Sequence, residues 1–282
     1  MAASTASAAA TAAGDSEWLD KAGKPYPFSR QDFNMFFWLD HPEEANDNLD
    51  RLAEIRASGT EPKALQVTRG ALPADLVGDY FLNGPACIKL GGKVCHPFDG
   101  HGFLRRVRID GAAGTAALSA DVVGTAAFKK ESAARALVYR GLGTLPRDPT
   151  TLAGKWHNTW ASLGKSVANT CVVKWGGNLL ALWEGGPPHR VAEDDFSQAD
   201  VYTFDGAIPR NVPFLAHTCF DAKRNRLVGV NLHQGRTTGF TFFEIDEQNQ
   251  LLSKVSRCST AQARPPALCW EASCEYVYSV GR

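Results

Sequence analysis

Residues 170–186 read Thr-Cys-Val-Val-Lys-Trp-Gly-Gly-Asn-Leu-Leu-Ala-Leu-Trp-Glu-Gly-Gly, and this stretch decides the fold. Residues 170–175 and 179–183 are runs of apolar β-formers, and Gly176-Gly177-Asn178 between them is a three-residue connection suited to positive φ. The expectation is a β-hairpin closed by Glu184, a candidate buried carboxylate, just before the turn Gly185-Gly186-Pro187-Pro188. Farther on, residues 212–220 read as a strand with His217 near its middle. Metal sites commonly orient a histidine with a carboxylate from a neighbouring strand, to which the second ring nitrogen donates. Glu184 and His217 are therefore a candidate pair.

Outward from this stretch, residues 65–255 keep one texture of short strands and Gly-rich turns, which points to an all-β sandwich, barrel or propeller. Residues 199–204 form a short expected strand closed by Asp205-Gly206. Residues 227–232 and 240–245 continue the strand at His217 as an antiparallel meander. Blade-like repeats of this kind run roughly 40–50 residues and must stack to cover their edges. Residues 103–110 form a strand carrying Arg105, Arg106 and Arg108, read as a solvated face with one buried partner. In His96-Pro97-Phe98-Asp99-Gly100-His101-Gly102-Phe103 a tight turn is expected, with Asp99 accepting backbone hydrogen bonds. His96 and His101 read as turn residues rather than a metal pair, and His233 as a loop histidine. Residues 141–159, with Pro146, Pro149 and Gly154, read as loop.

The N-terminal region is different. Residues 1–14 hold mostly Ala, Ser and Thr, with no arginine before Arg30, and read as a disordered tail rather than a transit peptide. Residues 15–64 read as an aromatic strap followed by a helix. Seven rings from Trp18 to Trp38 need a surface to lie on, and Asp40-His41-Pro42-Glu43 opens the helix. Leu49, Leu52, Ala53 and Ile55 give that helix its apolar face, and Gly59 ends it. Residues 35–39 are also a candidate membrane-dipping patch, although packing on the main body is the preferred reading.

Composition excludes several classes. Thirty Lys+Arg balance thirty Asp+Glu in 282 residues, so nothing points to nucleic acid as a partner. No apolar run approaches the roughly 18 residues of a spanning helix. Seven cysteines without a C-x-x-C pair read as reduced, buried thiols of an intracellular protein. No glycine-rich loop leads into a helix, so a nucleotide site is not expected.

Several motifs carry a resemblance. Ala168-Asn169-Thr170, Leu179-Leu180-Ala181-Leu182-Trp183-Glu184 and Ala216-His217 followed by Asp221 resemble the carotenoid cleavage oxygenase family. The runs at Gly78–Pro85 and His96–Phe103 are similar to the family's signatures, with Leu82, Ala86, His101 and Phe103 as departures. Phe128-Lys129-Lys130-Glu131-Ser132 resembles a further segment. The resemblance implies a partial seven-bladed β-propeller with antiparallel blades, covering about the first half of a family member, behind an N-terminal strap. It implies an iron(II) centre held by four histidines, with glutamates behind three of them. His217 falls on the first iron ligand and Glu184 on the first orienting glutamate, 217 − 184 = 33 positions upstream.

The implied reaction is oxidative cleavage by O2 of a conjugated double bond in a carotenoid or apocarotenoid, in a plastid or the cytoplasm, with peripheral membrane contact. No histidine follows His233, so the later ligands have no counterpart. Residues 256–282 read as an atypical tail, with Cys269 and Trp270 near the second ligand's place, and as the truncated or misread end of a longer gene. The chain alone is expected to be non-catalytic. Two alternatives stand beside this: a non-catalytic propeller fragment that binds an apolar ligand or a protein partner, and a hydrolase using Asp99 and Glu184 as acid and base.

Overall fold

The computed structural model describes residues 48–57, 62–86, 89–147, 150–160, 165–210, 212–233, 238–259 and 279–280. Three antiparallel sheets dominate them. The first, ordered β1-β6-β5-β2-β15, is built from Lys63–Leu65 (β1), Val77–Ala86 (β2), His101–Asp110 (β5), Thr115–Val122 (β6) and Ser279–Val280 (β15). A small hairpin of Lys89–Leu90 (β3) and Lys93–Val94 (β4) stands beside it. The second, β10-β9-β8-β7, comprises Cys171–Trp175 (β7), Asn178–Leu182 (β8), His189–Val191 (β9) and Ala199–Val201 (β10). The third, β11-β12-β13-β14, comprises Cys219–Asp221 (β11), Arg226–His233 (β12), Thr238–Ile245 (β13) and Leu251–Ser259 (β14).

The quoted stretch folds as a hairpin, with a tighter turn than expected. Trp175 pairs with Asn178, so the connection is the two residues Gly176 and Gly177, at φ +52° and +75°. Two consecutive positive φ values match the strand twist and are cheap only without a Cβ.

β8 explains why the sheets stack. All four residues 179–182 are buried, yet successive side chains on a strand point to opposite faces. Leu179 and Ala181 join Leu104, Val123, Ala168 and Val191 in one core. Leu180 and Leu182 join Trp175, Phe204, Phe214, Leu227, Phe243 and Ile245 in the other. The second sheet is thus sandwiched between the first and the third. Two buried side-chain amides tie the segment before β7 to the first sheet's surroundings. Asn83 Nδ2 donates to the Ala168 and Cys171 carbonyls, and Asn169 Nδ2 to those of Phe98 and Gly100.

Several expectations change. The strand expected at residues 212–220 contracts to β11, and His217 lies in the segment just before it. Pro213 has no N–H to give a ladder, Phe214 N bonds Gly186 O, and only Leu215 N reaches β12, at Val230 O, outside the regular pairing of β11. The strand expected over 199–204 stops at Val201, because Phe204 and Asp205 have left-handed φ of 49° and 54°. Residues 141–159 are not all loop: Leu152–Trp160 form a helix (α3 below), and its Asn158 side chain bonds both backbone groups of Arg147.

Phe128–Ser132 lie in another helix, Ala126–Ala134 (α2). Thr125 caps its first turn, and Arg135 in the left-handed region ends it. The helix expected from Asp40 is described over Asn48–Ala57 (α1). Leu49 and Leu52 are buried there, but Ala53 is exposed. Residues 1–47, with the aromatic strap and the patch at 35–39, lie outside the described residues. β14 continues past the boundary expected at residue 255, while Cys269 and Trp270 lie outside the described residues. Arg106 is the buried arginine of β5, donating to Glu193 O, while Arg108 is exposed. Among the thiols, Cys95 is buried and pushed up to about 12 by that burial, whereas Cys219 is exposed, against expectation.

Candidate functional site

Glu184 and His217 come together by a short chain of backbone contacts. Past β8, residues 183–186 turn sharply, and a Cβ on Gly185 would lie 2.7 Å from the Trp183 ring. The turn presents the Gly186 carbonyl, which accepts the Phe214 N–H at 2.9 Å. Three residues beyond Phe214, His217 Nε2 lies 3.4 Å from Glu184 Oε1.

That is ion-pairing distance at the long edge of hydrogen bonding. The pair is open to solvent, His217 at 63% side-chain exposure and Glu184 at 45%. Glu184 is therefore not the buried carboxylate expected, because it sits in the turn two residues beyond the strand. So exposed a pair contributes at most about 1 kcal/mol to stability. With Nε2 facing the carboxylate, Nδ1 is the ring nitrogen turned away from it.

The other candidates are spoken for. His96 Nδ1 accepts the Phe98 N–H within its own turn. Asp99 is buried and accepts from Leu142 N, Gly143 N and Thr144 Oγ1 at 2.6, 3.0 and 2.7 Å. Both its oxygens are committed to holding a loop, which removes it as a hydrolytic acid or base. Among the described residues, no group of three or more His, Cys, Asp or Glu side chains is placed to hold a metal ion. These residues offer iron one imidazole with its carboxylate, which does not make a four-histidine shell.

One polar cluster escaped the sequence reading. His101 Nε2 lies 2.8 Å from Glu131 Oε2, and Lys165 Nζ lies 3.4 Å from the same oxygen, with side-chain exposures of 1%, 0% and 4%. Glu131 Oε1 accepts the Val138 and Tyr139 N–H groups. Burial raises the Glu131 carboxyl, but the His101 hydrogen bond, Lys165 and the Tyr139 N–H outweigh it and hold the group at about 2. Burial holds the His101 imidazole below its ordinary value against the pull of Glu131. The available signal was the i, i+3 spacing of Phe128 and Glu131, which puts both on the buried face of α2. His189 is buried with Nδ1 3.1 Å from Pro187 O.

Antiparallel sheets stacked face to face, two of them four-stranded, are the layout of β-propeller blades, and the histidine and the glutamate lie in segments flanking two of these sheets. The chain belongs to the carotenoid oxygenase family, matched over residues 52–272 by the family described as Retinal pigment epithelial membrane protein. It is 32% identical over 192 residues to the apocarotenoid-15,15'-oxygenase of Synechocystis sp., covering 65% of this chain and 38% of that one. It is 30% identical over 239 residues to the chloroplastic carotenoid cleavage dioxygenase 7 of Arabidopsis thaliana, covering 70% and 38%. The cobalt-substituted Synechocystis enzyme superposes with a TM-score of 0.62 at 28% identity, over 71% of this chain and 42% of that one. The chain thus spans about two fifths of the length of these relatives. No described helix is long and apolar enough to cross a membrane.

Proposed function

We propose that this chain is the part of an iron(II)-dependent dioxygenase that contributes the first histidine ligand, His217, and its orienting carboxylate, Glu184. The substrate class is a carotenoid or apocarotenoid, cleaved with O2 at a conjugated double bond to two carbonyl products. The architecture is part of a seven-bladed propeller, and the plastid or the cytoplasm is the compartment. The observation that carries this reading is the 3.4 Å approach of His217, just before β11, to Glu184, just after β8. The ligand set is incomplete within the described residues, so no catalytic step is assigned to them.

The expected result is that purified chain carries far less than one iron per molecule, and that cobalt(II) binds weakly at His217. Glu184→Ala weakens that cobalt binding by about tenfold, as losing an orienting carboxylate commonly does. Stoichiometric iron lost on His217→Ala would overturn the incompleteness, and cobalt binding indifferent to both substitutions would remove the site.

An apolar polyene is met at a membrane, and one described surface suits peripheral contact. Leu142 and Leu152 are each 76% exposed, Trp156 64% and Phe98 56%. Asp99 fixes the Leu142 loop next to Phe98, and Asn158 fixes α3 to Arg147, so each pair of exposed apolar groups is held in place. Arg140, Arg147 and Lys155, close to these groups in sequence, are exposed as well. Leu and Trp beside cations suit anionic lipid. In cosedimentation with vesicles containing phosphatidylglycerol, Leu152→Ser with Trp156→Ser lowers binding by about tenfold. Equal binding by both proteins would remove this surface.

A further inference from the structure

The pair at His217 and Glu184 is exposed and joined by one long contact, so something firmer must set its spacing. The backbone route between them runs through Phe214. Its N–H is bonded to Gly186 O in the Glu184 turn, and the next N–H, of Leu215, to Val230 O at 2.8 Å in β12. Phe214 is fully buried, its ring centroid 5.5 Å from that of Phe204 and 6.0 Å from that of Phe243. The ring rests on Gly229. A Cβ at that position would lie 1.9 Å from Phe214 Cζ and 2.1 Å from Cε2. Gly229 is not among the positive-φ residues, so its lack of a side chain serves space rather than backbone shape. A lone glycine inside the apolar strand Leu227-Val228-Gly229-Val230 commonly marks such a close approach.

We infer that Phe214 seated on Gly229 is a positioning clamp that sets His217 against Glu184. The ring fixes the height of residues 214–215 above β12. The two main-chain bonds then hold the Glu184 turn on one side and the His217 segment on the other. A methyl at Gly229 would lift the ring and carry Phe214 N away from Gly186 O. The importance of the pair rests on the ligand reading above, whereas the clamp is a statement about its geometry.

The test is the nuclear Overhauser effect between His217 ring protons and Glu184 γ protons in the metal-free chain. Gly229→Ala is expected to abolish it while effects within the Leu180–Leu182 core persist. Phe214→Leu, which keeps the main-chain bonds but shortens the side chain, is expected to weaken it. The combination Gly229→Ala with Phe214→Leu lets the new methyl take the ring's place and is expected to restore it. Should Gly229→Ala fail to fold, Phe214→Leu and the double variant still decide the matter. An unchanged effect in folded Phe214→Leu or Gly229→Ala overturns the clamp, as does a double variant no better than either single one. Cobalt(II) titration of the same proteins separates the two claims. Loss of the Overhauser effect with unaltered cobalt affinity upholds the clamp and removes the ligand reading.

Discussion

Replacing Glu131 with alanine is expected to cost the fold about 3–5 kcal/mol, the usual result of stripping one partner from a buried ionic group. A domain's whole stability is about 5–15 kcal/mol, so Glu131→Ala will sit close to unfolding at 25 °C. The carboxylate has four partners: His101, Lys165 and the Val138 and Tyr139 N–H groups. Alanine leaves Lys165 buried without its carboxylate and strands both N–H groups. Urea denaturation measures the loss, and a change under about 1 kcal/mol would contradict this account.

The same cluster makes the fold acid-labile. His101 titrates lower in the folded chain than its ordinary 6.5, so the unfolded chain takes up the proton first and stability falls as pH drops below 6.5. Glu131 is held at about 2 against an ordinary 4.5. Its contribution is complete above 4.5 and is lost as pH falls from there toward 2. Because the two groups share a hydrogen bond, their titrations are coupled, and Glu131→Ala removes the second loss.

Self-association of the isolated chain is the second large effect expected. On the third sheet, Leu227, Phe243 and Ile245 are buried against the second sheet. Across the strands, Val228, Val230, Leu232, Phe240 and Phe242 point the other way and are only partly buried, and Val255 is exposed. Among the described residues no sheet covers this face, and no strand pairs the outer edge of β14. An apolar face of several hundred Å² with an unpaired edge recruits other chains. Sedimentation velocity at micromolar concentration should show dimers and larger species. Val230→Asp with Phe242→Lys should return most material to monomer. A sharp monomer peak for the unsubstituted chain would count against the exposed face.

What the sequence disclosed and what it concealed follow from range. The β7–β8 hairpin was legible because its determinants are local: two glycines between two apolar runs. Glu184 and His217 were legible as a candidate pair, but not their distance, since nothing in the positions between them sets one. The exposure of Glu184 was not legible, because apolar neighbours in sequence gave no warning that the chain turns outward at Trp183. Lys129-Lys130-Glu131 looks like a solvated run, and only the packing of α2 shows that its last member is buried. The helix at Leu152–Trp160 was hidden by Pro149 and Gly154, read as breakers. Yet Pro149 precedes the helix in sequence, and Gly154 N bonds Thr151 Oγ1 in its first turn.

The double-sided burial of β8 bears on how such a chain can lengthen. Leu179 and Ala181 answer to one neighbour, Leu180 and Leu182 to the other, and the third sheet again turns apolar side chains outward. Each layer therefore ends in the kind of surface on which it was itself received. Duplicating a layer would move the open face one place along without asking any existing core to change its residues. In that sense the interior is written as a repeating seam, and growth by whole sheets is the alteration it resists least.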